Sequence, residues 1–179
     1  MAAPKALWFT TDEAACRLLA EDPFALLVGF ALDQQVTVPT AFAGPQKIKE
    51  RLGTLEPATV ARTDLVEVFK QKPAVHRFPG AMAKRVQELA QHVVDEYGGD
   101  ASRLWREAED TAELKRRLEA LPGYGEMKVK SMSAVLSKQF GVKAAEPLAP
   151  SHPTLGDVRS PAELDEYQAW KREFKRSRS

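Results

Sequence analysis

The segment Leu121-Pro122-Gly123-Tyr124-Gly125-Glu126-Met127-Lys128 constrains this chain more than any other, because it stands between two stretches of helical period. Leu114, Leu118 and Leu121 fall on one helix face before it, and Met132, Val135, Leu136 and Phe140 fall on one face after it. Two glycines around a single residue, behind a proline, make a tight interhelical turn in which backbone comes very close to something. A hairpin of this kind leaves the amide N–H groups of the second helix's first turn unpaired and pointing outward. Lys128 and Lys130 lie beside those amides, so phosphate is the natural ligand. The competing reading is a plain turn between packed helices, but such a turn needs one glycine and has no use for a second two residues on.

The rest of the chain can supply a core around that hairpin. With 179 residues, 44% of them hydrophobic, it is long enough for one domain, or a domain with a short appendage. The formal net charge of +1 means that any attraction for nucleic acid is local rather than global. Cys16 is the only cysteine, which excludes internal disulfides, a four-cysteine zinc site and a cysteine-ligated iron–sulfur cluster; on an apolar helix face it reads as a packing residue. The N-terminus lacks a charged region followed by an apolar stretch of about 7–15 residues. The longest apolar run, 23–32, is roughly half a membrane span. The expectation is a soluble, cytoplasmic protein with no membrane partner.

Along the chain the pattern is helical throughout. Thr10 with Glu13 has the form of a capping box opening a short helix, and Asp22-Pro23 restarts the chain as cap and first helical residue. Residues 24–32 are apolar on every face, which places this helix at the centre, with Gly29 letting a neighbour approach. It ends at Asp33-Gln34-Gln35. A helical pattern over 39–52 is interrupted by Gly44-Pro45 and closed by Gly53, and Thr63-Asp64 caps a short helix. The loop 72–80 leads into the clearest amphipathic helix, carrying Met82, Val86, Leu89, Ala90, Val93, Val94 and Tyr97 on one face. Asp110 with Glu113 caps the first hairpin helix. After Phe140-Gly141 comes a proline-rich connection, then a last helix capped by Ser160 and Glu163 and running through Trp170. The basic tail from Lys171 is expected to fray and to add nonspecific phosphate attraction. The domain organisation is therefore 1–141, a connection over 142–153, and a C-terminal helix with its tail over 154–179.

The order of buried helix, Gln-Gln, amphipathic helix, Leu-Pro-Gly-x-Gly hairpin, helix and Phe-Gly resembles the helix-hairpin-helix (HhH-GPD) DNA glycosylase superfamily over about 23–141. The whole sequence, including Phe-Pro-Gly-x-Met-Ala at 78–83 and the C-terminal helix, looks like a small actinobacterial group of helix-hairpin-helix base-excision repair proteins. The resemblance implies an all-α, two-lobed glycosylase-like fold with the hairpin facing the Gln-Gln helix end. It also implies a bacterial, nucleoid-associated monomer acting on double-stranded DNA that contains a lesion or an abasic site. No cofactor is implied beyond a structural monovalent cation at the hairpin.

By that resemblance Gly123, Gly125 and the amides near Met127 anchor the DNA backbone, which agrees with the physics of the turn. Gln35 is the side chain that fills the gap left by an extruded nucleotide, recovering part of a cost of a few kcal/mol. Gln34 is a structural partner bonded to backbone near the site. Two simply exposed glutamines are the alternative. Lys128 and Lys130 are phosphate contacts or solvated lysines. Arg77 reaches the DNA, and His76 and Phe78 stand at the pocket mouth, unless this is ordinary loop packing beside an exposed arginine. Tyr124, Phe30 and Phe42 are stacking candidates for a base pocket, or else packing residues. Trp8, Trp105 and Trp170 lack the spacing of a cage and are assigned to core or interface.

Two positions decide the chemistry. The lysine that forms a Schiff base in bifunctional relatives is replaced by Met127, whose thioether cannot attack the sugar. Lyase activity is not expected, and the resemblance implies a monofunctional glycosylase that hydrolyses the N-glycosidic bond. The family aspartate that stabilises positive charge on the sugar should fall near 146–148, where none stands. Asp157 beyond an insertion, or Glu146 in its place, supplies the carboxylate; otherwise the protein is a noncatalytic binder of damaged or distorted DNA. A helical interaction module without a DNA role is a third, weaker reading.

Overall fold

A computed structural model describes residues 3–178, and every regular element among them is helical. The buried helix α2 (Pro23–Leu32) is the axis of the fold. Asp22 caps it by accepting from the Phe24 amide at 2.9 Å, and every residue after Pro23 is buried. Helices α1 (Glu13–Glu21), α3 (Val38–Leu52) and α6 (Pro79–Tyr97) pack against it. Gly29 lies directly beneath the Phe42 ring, so α3 crosses α2 where no side chain could stand. Phe42 meets Phe30 and Phe9 edge to face, at 5.1 and 5.2 Å between centroids.

Several boundaries differ from the sequence expectation for local reasons. Asp12, not Thr10, caps α1 by accepting from the Ala15 amide at 3.1 Å, while the buried Thr10 hydroxyl donates to the Pro39 carbonyl at 2.8 Å. Helix α3 runs unbroken through Gly44-Pro45. Pro45 removes one helical donor, but Gly44 sits against Leu32, and burial against α2 holds the turn together. The short helices α4 (Pro57–Ala61) and α5 (Val66–Lys70) cover one side of α6. Asp64 accepts from the Val66 amide at 3.0 Å, as expected of the α5 entry.

After α7 (Arg103–Arg106), the hairpin is formed by α8 (Thr111–Glu119) and α9 (Glu126–Phe140). Asp110 accepts from the Glu113 amide at 2.8 Å, and Glu113 accepts from the Glu109 amide at 2.7 Å. The proline-rich connection is not loose. It winds into a short 3-10 turn (Lys143–Leu148) with Ala145 buried, and its Ala144 carbonyl accepts from the Thr111 hydroxyl at 2.7 Å. The last helix, α10 (Pro161–Arg178), continues past Trp170, so the basic stretch is helical rather than frayed. Leu155, Val158 and Leu164 join the same hydrophobic cluster as α2 and α9.

The hairpin turn is tied to the centre by one side chain. Tyr124 is buried, and its hydroxyl donates to the Leu27 carbonyl of α2 at 2.7 Å across 97 positions of sequence. Burial also pushes its phenol well above the ordinary range. Replacing Tyr124 with Phe removes only this bond and is expected to cost about 1–2 kcal/mol in denaturant unfolding, with the helical circular dichroism spectrum unchanged.

Candidate nucleic-acid interface

The glycines of the turn have different reasons for being glycine. Gly123 has φ +81°, a conformation that favours glycine, and the flexible Arg85 side chain lies where a Cβ would project. Gly125 has φ −91° and ψ −176°, open to any residue, and a Cβ there would meet nothing within 4 Å. It is the residue before α9, which receives no side-chain cap. The first amides of α9 therefore face outward without a protein partner built for them. Met127 beside them is 63% exposed.

Lysines near this turn behave differently from one another. Lys130 folds back to Glu126 at 3.1 Å. Lys128 is half-buried and points into a cavity of about 440 Å³ between α2, α9, the 152–155 segment and α10. Burial lowers its pKa, and the Asp33 carboxylate opposes that shift. The guanidinium of Arg85, packed on Gly123, adds a further positive charge nearby. The Leu118 and Leu121 carbonyls already accept amides within the turn.

The Gln-Gln helix end divides its work between the two side chains. Gln34 turns inward, its amide donating to the Met82 sulfur at 3.3 Å rather than to backbone as expected. Gln35 turns out to solvent, with φ +58°, the left-handed value that no other non-glycine among the described residues adopts. A strained backbone at an exposed polar tip marks a candidate functional position. Gln35 shares a groove of about 560 Å³ with Thr37, Arg77 and the α10 residues Gln168, Lys171, Arg172 and Lys175. Arg77 is exposed and lies over the Phe78 ring at 5.0 Å.

His76 lies behind the site rather than at its mouth. It is 1% exposed, and its Nε2 lies 3.1 Å from both the Leu32 and Gln34 carbonyls, while Nδ1 accepts from the Phe78 amide at 3.0 Å. Two carbonyls at one nitrogen and an amide at the other assign the neutral tautomer with the proton on Nε2. The imidazole thus fixes the backbone that carries both glutamines. Tyr124 is likewise removed from any pocket by its burial and its bond to Leu27. Phe42 is core, whereas Phe30, though buried, floors the 440 Å³ cavity.

The carboxylates rearrange the sequence expectation. Asp157 is a local brace: its Oδ1 accepts from Lys138 at 2.8 Å, and its Oδ2 accepts from the Thr154 amide at 2.9 Å. Burial opposes, but the Lys138 ammonium and the Thr154 amide hold this carboxyl below its usual range. It faces a smaller cavity of about 250 Å³ on the other side of Tyr167 and Trp170. Glu146 is exposed on the 3-10 turn. Among the described residues, the only carboxylate lining the cavity beside Lys128 is Asp33, the residue that ends α2. Burial raises its pKa, and Lys171, Lys128 and Lys175 oppose that shift. Sequence reasoning missed Asp33 because a charged residue after an apolar helix reads as its stop signal. It also missed the inner face of α10, where Tyr167, Trp170 and Phe174 stand at helical spacing and line the same cavity.

Among the described residues, no group of three or more His, Cys, Asp or Glu side chains is arranged to hold a metal ion, and no helix is long and apolar enough to cross a membrane. Comparisons with protein-family models, with curated proteins and with solved structures return no match.

The buried imidazole gives the glutamine platform a pH dependence. Burial holds the His76 pKa below its ordinary 6.5, against the opposing pull of the Gln34 and Leu32 carbonyls. The unfolded chain therefore takes up a proton at higher pH than the folded one, and stability falls as pH drops through and below 6.5. Thermal unfolding midpoints should decline across this range. His76→Ala should cost about 2–3 kcal/mol at neutral pH through lost hydrogen bonds and should flatten that decline.

Proposed function

We propose that this protein is a base-excision repair DNA glycosylase with a two-lobed helix-hairpin-helix fold, acting as a monomer on duplex DNA that carries a damaged or mismatched base. The single observation that carries the reading is Gly125. The fold has no steric need for glycine there, yet its absent side chain clears the approach to the uncapped amides of α9. A phosphate is the ligand that such amides select. Gln35, aimed outward on strained backbone, is the side chain suited to fill the gap in the duplex.

In this reading the chemistry is hydrolytic. Met127 offers no nucleophile, so no Schiff base forms. Asp33 takes the role first sought at Asp157 or Glu146: from the cavity beside Lys128 its carboxylate stabilises positive charge developing on the sugar and orients the attacking water. Burial raises the Asp33 pKa, and the surrounding lysines offset part of that shift toward the ionised form the role uses. The protein works in the bacterial nucleoid and requires no cofactor.

A second reading, a noncatalytic binder of damaged DNA, is favoured by one observation: Asp157, nearest to the expected place in the chain, is consumed in a brace. Incubation with duplexes containing uracil, hypoxanthine, alkylated or oxidised bases, followed by alkali, separates the two. The glycosylase reading expects strand breaks at one lesion class, reduced at least about 100-fold in Asp33→Asn on the scale of a removed electrostatic partner. The same variant, relieved of a buried charge, should unfold at the same or a higher temperature. No break at any lesion sinks the catalytic claim. Full activity in Asp33→Asn sinks the assignment of the carboxylate.

A further inference from the structure

Helix α10 is long but shallowly seated. Of its residues only Leu164 is buried, near its start. Along its inner side Tyr167, Trp170 and Phe174 are only partly buried and stack on each other, with Tyr167 to Trp170 at 6.0 Å and 28° and Trp170 to Phe174 at 5.0 Å and 21°. His152 joins this ladder, 5.5 Å from Trp170 at 21° between planes. The faces are nearly parallel and border a cavity of about 440 Å³ instead of filling it.

Among the described residues the same cavity is lined by Lys128, Lys171, Lys175 and Arg178, against the one carboxylate of Asp33. None of these four cations forms an ion pair at contact distance among the described residues, and Arg178 lies over the Phe174 ring at 5.2 Å. Lys171 and Lys175 also line the Gln35 groove, so the helix presents charge on both sides of its aromatic edge. Unpaired cations want anions, and flat half-exposed rings want flat partners. Unpaired nucleotides satisfy both, since each joins a π-face to a phosphate.

We infer that the inner face of α10 is a binding platform for single-stranded DNA, on which an unpaired base stacks against the Trp170–Phe174 ladder while Lys171 and Lys175 take the flanking phosphates. The platform borders the cavity that holds Asp33 and shares a DNA ligand with the glycosylase reading, but it does not depend on the chemistry. It stands whether or not an N-glycosidic bond is cut.

The test is fluorescence anisotropy of a labelled short oligothymidylate, which cannot form a duplex, titrated with the full chain. Wild type should bind with strong salt dependence. Trp170→Leu should weaken binding by about tenfold or more, as expected of a lost base–aromatic contact, and Trp170→Phe should restore most of it. The pair Lys171→Gln and Lys175→Gln should reduce the slope of log affinity against log salt by about 1.4, two phosphates' worth for a single strand. Arg17→Gln, the loss of one charge on α1, should change neither. Circular dichroism checks that α10 persists in Trp170→Leu; if it does not, the lysine pair, whose side chains lie outside the core, carries the test. Undiminished binding by Trp170→Leu with α10 intact, an unchanged salt slope in the lysine pair, or no binding by wild type would overturn the inference. So would an equal loss of affinity for a fully paired duplex, which offers no free base to stack. Lesion cleavage without oligothymidylate binding would defeat this inference alone and leave the glycosylase reading standing.

Discussion

The hydrogen bond from the Tyr124 hydroxyl to the Leu27 carbonyl joins the turn between α8 and α9 to the buried helix α2. Tyr124 lies between the hairpin glycines, and Leu27 lies in a helix whose faces are all covered. Because the phenol is buried, the bond exists in a low-dielectric setting where leaving its partner unmet is costly. Its consequence is positional. The start of α9 is held at a fixed place relative to the end of α2, and from that end Asp33 and Gln35 project.

A second anchor works on the other side. His76 bonds the Leu32 and Gln34 carbonyls and sets the left-handed kink that turns Gln35 outward. Between these two fixed points lie the cavity containing Asp33 and Lys128 and the groove containing Gln35 and Arg77, with α10 as the partition. Rigid elements thus hold the polar groups, while the most loosely seated helix closes the space over them.

Much of this was legible from residue patterns. The all-apolar run after Asp22-Pro23, the amphipathic stripe from Met82 to Tyr97 and the two-glycine turn each follow from local chemistry, and each appears where expected. Gln34 turns inward and Gln35 outward, and the Gln34 amide meets the Met82 sulfur instead of the backbone expected for it. What resisted was decided at a distance. Asp157 stood in a plausible turn, but the partner that claims it, Lys138, comes from α9. Asp33 looked like punctuation because its lysine neighbours on α9 and α10 lie more than ninety positions away. Tyr167, Trp170 and Phe174 share a helical spacing, but the His152 ring that joins their stack enters from the preceding turn. Pairings across the fold have no local period, so no scan along the chain finds them.

In the proposed function the first turn of α9 is open so that a phosphate can enter it. Affinity of Gly125→Ala for a duplex carrying an abasic-site analogue, measured beside its unfolding free energy, tests this directly. The added methyl meets no protein atom within 4 Å, and a Gly-to-Ala change at a helix entry should alter stability by no more than about 1 kcal/mol. Affinity should nonetheless fall by about tenfold or more, as when charge-assisted bonds to a phosphate are blocked. Equal affinity in Gly125→Ala and wild type would mean that the hairpin is only a turn, and would contradict the account.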